Sequence, residues 1–247
     1  MPDLTPTHWA LAAAAAFALG VGKAGFAGLS ILHVLVFAFI FGARDSTGIV
    51  LPMLLVGDVC AVLAFHQHAQ WRYVRRMLPP ACIGVVAGAL LMRGMSNASF
   101  KPVIGTLILG LSVLQFVRMF RPAWFGAVPH TRWFAWTMGL LAGVATMLAN
   151  AAGPIFGLYC LAVALPKFEV VGTIAWFFFI INAFKVPFSV GLGLIDARTL
   201  MLNAVLAPAV IAGVLGGRWL VNWLPQRIFE ILLLAFAAIA ALRLMLF

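Results

Sequence analysis

The chain has 247 residues, of which 65% are hydrophobic and 9% are charged, and its formal net charge is +10. Soluble domains carry about 25% charged residues, so this composition excludes a protein whose whole surface faces water. The basic residues gather in short segments between apolar runs, as in membrane proteins, and their charge therefore does not indicate nucleic-acid binding. Alternation of polar and apolar residues is missing, which favours helices over a β-barrel. We expect an all-α integral membrane protein.

Turn signals and charges divide the chain into ten apolar segments. We place them at residues 8–22, 25–41, 47–66, 77–94, 101–119, 132–149, 151–165, 169–191, 199–217 and 226–246. A bilayer span takes about 20 residues, so residues 8–41 are too many for one span and enough for two short helices. Glycines interrupt this hairpin at residues 20–28, and glycine and proline interrupt a second hairpin at residues 149–154.

The two halves of the chain resemble each other in sequence. Residues 24–28 align with residues 149–153, and three further pairs follow at a near-constant offset: Pro80 with Pro208, Gly84 with Ala212, and Gly88 with Gly216. We therefore predict two repeats, residues 1–120 and 121–247, each a broken helical hairpin plus three transmembrane helices, with 8–10 membrane segments in all. Each repeat then crosses the membrane an odd number of times, so the second repeat is inverted.

The basic residues support this orientation. The loop with Arg72, Arg75 and Arg76 is predicted to be cytoplasmic, and inversion places five more arginines on the same side: Arg118, Arg121, Arg132, Arg218 and Arg227. A parallel, eight-span arrangement would move the last two outside, which fits the positive-inside rule less well.

The two breaks are candidate anion-binding elements. A broken helix offers free backbone N–H groups and a positive dipole end, and Gly25, Gly28 and Gly153 would let a ligand approach the backbone closely. The alternative is close helix packing by small residues. Lys23 lies in the first break, where it either binds the substrate or extends to a nearby membrane surface.

Further polar residues interrupt apolar helices. Asn182 and Lys185 share one helical face, so we predict that both bind substrate; the alternative is an ion pair between Lys185 and Asp58. Asp58 is either a proton carrier or a permanent counter-ion for a lysine. Asn150, in the second break, is predicted to bind the substrate or the backbone of the broken helix.

No motif indicates catalysis. A nucleophile–base pair, a zinc-protease motif, a P-loop and a dinucleotide fingerprint are missing, which argues against an enzyme and an ATP-driven pump. Cys60, Cys82 and Cys160 are scattered without metal or redox spacing. We expect no catalytic residue, cofactor or metal.

Four stretches of the sequence together resemble the TauE/SafE family of sulfite and organosulfur anion exporters. They are residues 22–28 (GKAGFAG), 51–58 (LPMLLVGD), 68–71 (HAQW) and 182–185 (NAFK). The resemblance covers nearly the whole chain and implies export of a small sulfur-containing anion, sulfite or an organosulfonate, across the cytoplasmic (inner) membrane.

The expected function is therefore that of a secondary transporter, with proton coupling through Asp58. Its partners would be the small anion and the lipid bilayer, and not nucleic acid. An anion channel on the same scaffold is the alternative, and a membrane-embedded enzyme or assembly factor is a third hypothesis.

Overall fold

The computed structural model describes residues 4–24, 29–95, 97–121, 131–163 and 165–220. Within these ranges the chain forms nine α-helices, a short 3-10 turn at His66–His68, and no strand. The helices are α1 (Pro6–Lys23), α2 (Leu29–Phe41), α3 (Asp45–Phe65), α4 (Trp71–Arg93), α5 (Asn97–Phe120), α6 (Arg132–Ala149), α7 (Gly153–Ala162), α8 (Lys167–Gly191) and α9 (Ala197–Leu220). The prediction of an all-α protein is confirmed for the described residues.

Several helices could cross a bilayer. Among the described residues, four are long and apolar enough: Asp45–His68, Trp71–Arg93, Phe168–Gly191 and Ala197–Trp219. These are the segments predicted at residues 47–66, 77–94, 169–191 and 199–217, and they make the chain a multi-pass membrane protein. The total of 8–10 segments stays a prediction, and the segment predicted at residues 226–246 lies outside the described residues.

The start of α4 differs from the prediction. The sequence predicts a helix from residue 77, whereas α4 begins at Trp71 and continues through Pro79 and Pro80. The arginines of the first turns were assigned to a loop because of their charge. However, Val74 and Met77 are buried three residues apart on one face, so this segment is an amphipathic helix whose polar side faces outward.

Glycine packs α4 closely against α6. Gly143 lies against the backbone carbonyl of Ala81, and Gly88, further along α4, lies against the side chain of Met147. Because the contacts advance in the same direction along both helices, α4 and α6 run parallel.

The same arrangement joins α1 and α9. Gly213 lies against the backbone of Phe17, and Gly217 lies against Ala24 and the backbone of Val21. These contacts also advance together, so α1 and α9 run parallel.

The two helix pairs make matching contacts. Gly84 of α4 lies against the carbonyl of Leu140, and Gly213 of α9 lies against the carbonyl of Phe17. The sequence alignment paired Gly84 with Ala212, one residue before Gly213. The repeat alignment itself stays a prediction.

Helices α3 and α8 lie between these pairs and run antiparallel. Gly48 near the start of α3 packs against Leu194, just after α8, while Gly172 near the start of α8 packs against Phe65 at the end of α3. The middle of α3 therefore faces the middle of α8, and the predicted polar residues lie at this crossing.

Candidate functional site

Six polar residues meet where α3 and α8 cross, close to the C-terminal ends of α1 and α6. We call them the central polar cluster: Lys23, Asp58, Thr146, Asn150, Asn182 and Lys185. Five of them were predicted from the sequence as substrate-binding or proton-coupling residues, and the structure brings these five together.

Lys23 and Asp58 form an ion pair. Lys23 Nζ lies 2.5 Å from Asp58 Oδ1, and the carboxylate is fully buried, while the lysine side chain is 13% exposed. Lys23 Nζ also lies 5.1 Å from the centre of the Phe178 ring, a favourable place for a cation. Lys23 belongs to the last turn of α1, whose dipole also favours a positive charge. Its side chain therefore turns towards the carboxylate at the helix crossing.

Asn182 connects the ion pair with Lys185. Its Nδ2 donates to Asp58 Oδ2 at 2.7 Å, and its Oδ1 lies 3.5 Å from Lys185 Nζ. Both oxygens of the buried carboxylate are therefore bonded, as burial of a charge requires. Asp58 is therefore linked to Lys185 through the Asn182 amide. The direct Lys185–Asp58 ion pair, the alternative from sequence, is not formed in the described residues.

Lys185 is held by oxygens that carry no charge. It is 1% exposed, and its Nζ donates to Asn150 Oδ1 at 2.5 Å and to the Thr146 carbonyl at 2.7 Å, with Thr146 Oγ1 at 3.2 Å. Among the described residues, no carboxylate lies within ion-pair distance of this lysine. Its three N–H donors are thus bonded, but its charge is not neutralised by direct contact.

The end of α6 provides these oxygens. The helix ends at Ala149, and Asn150 adopts a left-handed conformation with φ of 53°, which asparagine tolerates better than most residues. The C-terminal dipole of α6 favours the ammonium beside it. Asn150 Nδ2 also donates to the Thr47 carbonyl at 2.9 Å, so this residue joins the break to both α3 and α8.

The cluster carries an unbalanced charge. With Lys23, Asp58 and Lys185 ionised, two positive charges face one negative charge. Charged groups inside a membrane are strongly unfavourable unless they are paired or hydrated, and opposite charges attract strongly there. Chemically, the arrangement can attract one further negative charge to the side of Lys185.

The glycines predicted to bind substrate are only partly described. Gly153 is the first residue of α7 and follows the break at Asn150. Gly25 and Gly28 lie outside the described residues. The second hairpin is therefore interrupted where the sequence predicts.

Two members of the site were missed from sequence. Thr146 precedes Asn150 by one helical turn, and Phe178 precedes Asn182 by one turn, so each lies on the same helical face as a predicted residue. This spacing could have identified both. The role of the Thr146 carbonyl could not be read from the sequence, because this carbonyl can accept from Lys185 only where α6 ends.

A comparison with known protein families identifies one that covers most of the chain. The sequence profile of the family described as "Sulfite exporter TauE/SafE" matches residues 10–244, nearly the whole chain. No curated protein and no solved structure matches the chain. The match includes every residue of the central polar cluster, and the chain belongs to the TauE/SafE family of sulfite exporters.

Proposed function

We propose that the protein is a secondary transporter that exports sulfite or an organosulfonate across the cytoplasmic membrane, and that the central polar cluster binds the anion. The observation that carries the proposal is Lys185, a buried cation held by uncharged oxygens at the crossing of two candidate membrane spans. A cation in this setting is a functional site by default, because its burial is unfavourable without an anionic partner.

The charges suggest how many negative charges are bound. With Asp58 ionised, one positive charge is in excess, which suits a monovalent anion such as hydrogen sulfite. A sulfonate or sulfite oxygen would replace Asn150 Oδ1 or the Thr146 carbonyl as the acceptor for Lys185. Amide groups of Asn150 and Asn182 would donate to the remaining oxygens.

Asp58 would couple binding to protons. When Asp58 Oδ1 takes up a proton, its ion pair with Lys23 ends, and the ammonium of Lys23 becomes a second donor for the anion. The net charge of the cluster rises from one to two, so anion affinity should increase as the pH falls.

The helix directions support a duplicated, inverted scaffold for alternating access. Helices α3 and α8 are predicted to be equivalent, and they run antiparallel, as inversion requires. The parallel pairs α1–α9 and α4–α6 are matching contacts between residues 1–120 and 121–247. Movement of one repeat against the other would expose the central cluster to each side in turn.

The contacts favour a carrier over a channel. Each side-chain oxygen of Asp58, Asn150 and Asn182 accepts a hydrogen bond from within the cluster. An anion must therefore exchange with these groups in order to pass, which predicts saturable flux without large unitary currents.

Sulfite flux in proteoliposomes tests the proposal. Lys185→Met should abolish saturable flux while the protein remains folded, because the excess charge is lost. Arg93→Gln is the matched control, since it removes one positive charge from an exposed position at the end of α4. Wild-type flux in Lys185→Met would remove Lys185 from the site and contradict the proposed function.

A further inference from the structure

A second group of cations lies at one end of the α4–α6 pair, outside the central polar cluster. A cavity of about 290 Å³ opens there, and its lining combines three guanidinium groups with an aromatic ring and two small apolar residues: Arg75, Arg76, Arg132, Trp136, Pro79 and Ala135. None of these residues was assigned a function above.

The helix directions explain why the arginines meet. Arg75 and Arg76 belong to the first turns of α4, and Arg132 is the first residue of α6. Because α4 and α6 run parallel, these starting turns lie at the same end of the pair. Gly139 of α6 packs against Pro80 of α4, so the two helices are in close contact just beyond the residues that line the cavity.

The charges in the cavity are not balanced by carboxylates. Among the described residues, none of the three arginines has an acidic group within ion-pair distance. Arg75 and Arg132 are exposed, and the half-buried Arg76 faces the hydroxyl of Tyr159. Three like charges around one cavity repel each other, so a bound anion would stabilise the arrangement.

The surroundings distinguish the kind of anion. Trp133 and Trp136 are 82% and 49% exposed at this end of α6, where aromatic side chains mark the membrane interface. Further along the same helices, Leu140, Leu141 and Ile83 are exposed apolar side chains. A ligand with a phosphate at the arginines and acyl chains along these residues matches both regions.

We propose that Arg75, Arg76 and Arg132 bind the phosphate of an anionic phospholipid, with Trp136 beside the headgroup and the acyl chains along α4 and α6. The planar guanidinium group offers paired donors that fit phosphate oxygens. Basic residues also concentrate on the cytoplasmic side of membrane proteins, which assigns the lipid to the cytoplasmic leaflet.

Native mass spectrometry of the full-length protein in a neutral detergent tests this site. Phosphatidylglycerol should bind more tightly than phosphatidylcholine with the same acyl chains. Substituting one cavity arginine by glutamine should weaken phosphatidylglycerol binding about fivefold, with larger losses on combination. Arg72→Gln is the matched control, because Arg72 is exposed on the same helix and does not line the cavity.

Three results would overturn the proposal. They are equal binding of the two lipids, an equal loss of binding in Arg72→Gln, and saturation of the site by inorganic phosphate with no preference for the lipid. The first would show binding that does not depend on headgroup charge, the second would show general attraction to basic residues, and the third would identify a free oxyanion. The readout is lipid bound to folded protein, so the result does not depend on anion transport.

Discussion

The contact of α1 with α3 and the contact of α6 with α8 carry different charges. In the first, Lys23 at the end of α1 meets the carboxylate of Asp58. In the second, the carbonyl of Thr146 near the end of α6 meets Lys185. The glycine contacts of the α1–α9 pair match those of the α4–α6 pair, so this packing is repeated while the electrostatics are not. Lys23 is neutralised by an ion pair, and we propose that Lys185 supplies a cation for the anion.

The largest expected effect concerns the neutralised side. Asp58→Asn leaves Lys23 without its counter-ion, and removal of one partner from a buried ion pair destabilises a protein by about 3–5 kcal/mol. Lys185→Met removes hydrogen bonds to uncharged oxygens and should destabilise by only about 1–3 kcal/mol. Unfolding in mixed micelles measures both free energies.

A double variant serves as the control for this difference. Lys23→Met combined with Asp58→Leu removes both charges and should recover most of the stability lost in Asp58→Asn. If Asp58→Asn is no less stable than Lys185→Met, the contrast between the Lys23 and Lys185 environments is wrong.

A smaller effect tests the equivalence of the packing. An added methyl group at Gly143 or Gly20 would overlap the backbone of the neighbouring helix, so Gly143→Ala and Gly20→Ala should each destabilise by about 1–3 kcal/mol. Gly110 in α5 has open space around its Cβ position, so Gly110→Ala is the control and should be neutral or stabilising. Thermal unfolding is the measurement, and clearly unequal effects at Gly20 and Gly143 would contradict the equivalence.

The smallest effect contrasts an exposed carboxylate with the buried one. The backbone N–H and hydroxyl of Thr199 donate to Asp196 Oδ1, and these bonds hold the pKa of Asp196 below its ordinary value of 3.8. A depressed pKa means that the ionised group stabilises the folded protein above its ordinary pKa, and that this is lost as the pH falls through the folded value.

Asp196→Asn should remove that part of the pH dependence. The difference in thermal stability between wild type and variant should be largest above about pH 5 and shrink below about pH 4. A difference that stays constant over this range would show that the contribution of the Thr199–Asp196 hydrogen bonds does not depend on the charge of Asp196.

Much of this organisation could be predicted from sequence. Lys23, Asp58, Asn150, Asn182 and Lys185 interrupt apolar segments, and burial of such groups indicates that they meet one another. The interrupted second hairpin was equally clear from glycine and proline.

The pairing within the cluster could not be predicted. Which lysine contacts Asp58 depends on how α3 and α8 cross, and the sequence does not give the rotation of either helix. The predicted start of α4 was wrong because a charged segment was assigned to a loop. Val74 and Met77 of that segment are buried on one face of a helix.

Calorimetric titration of the purified protein with sulfite tests the central claim that Lys185 supplies the anion-binding charge. Wild type should bind sulfite more tightly as the pH falls, and Lys185→Met should lose binding. Lys23→Met with Asp58→Leu should still bind, because the excess charge of Lys185 remains, but without the pH dependence. Undiminished binding in Lys185→Met, or equal losses in the two variants, would contradict the account.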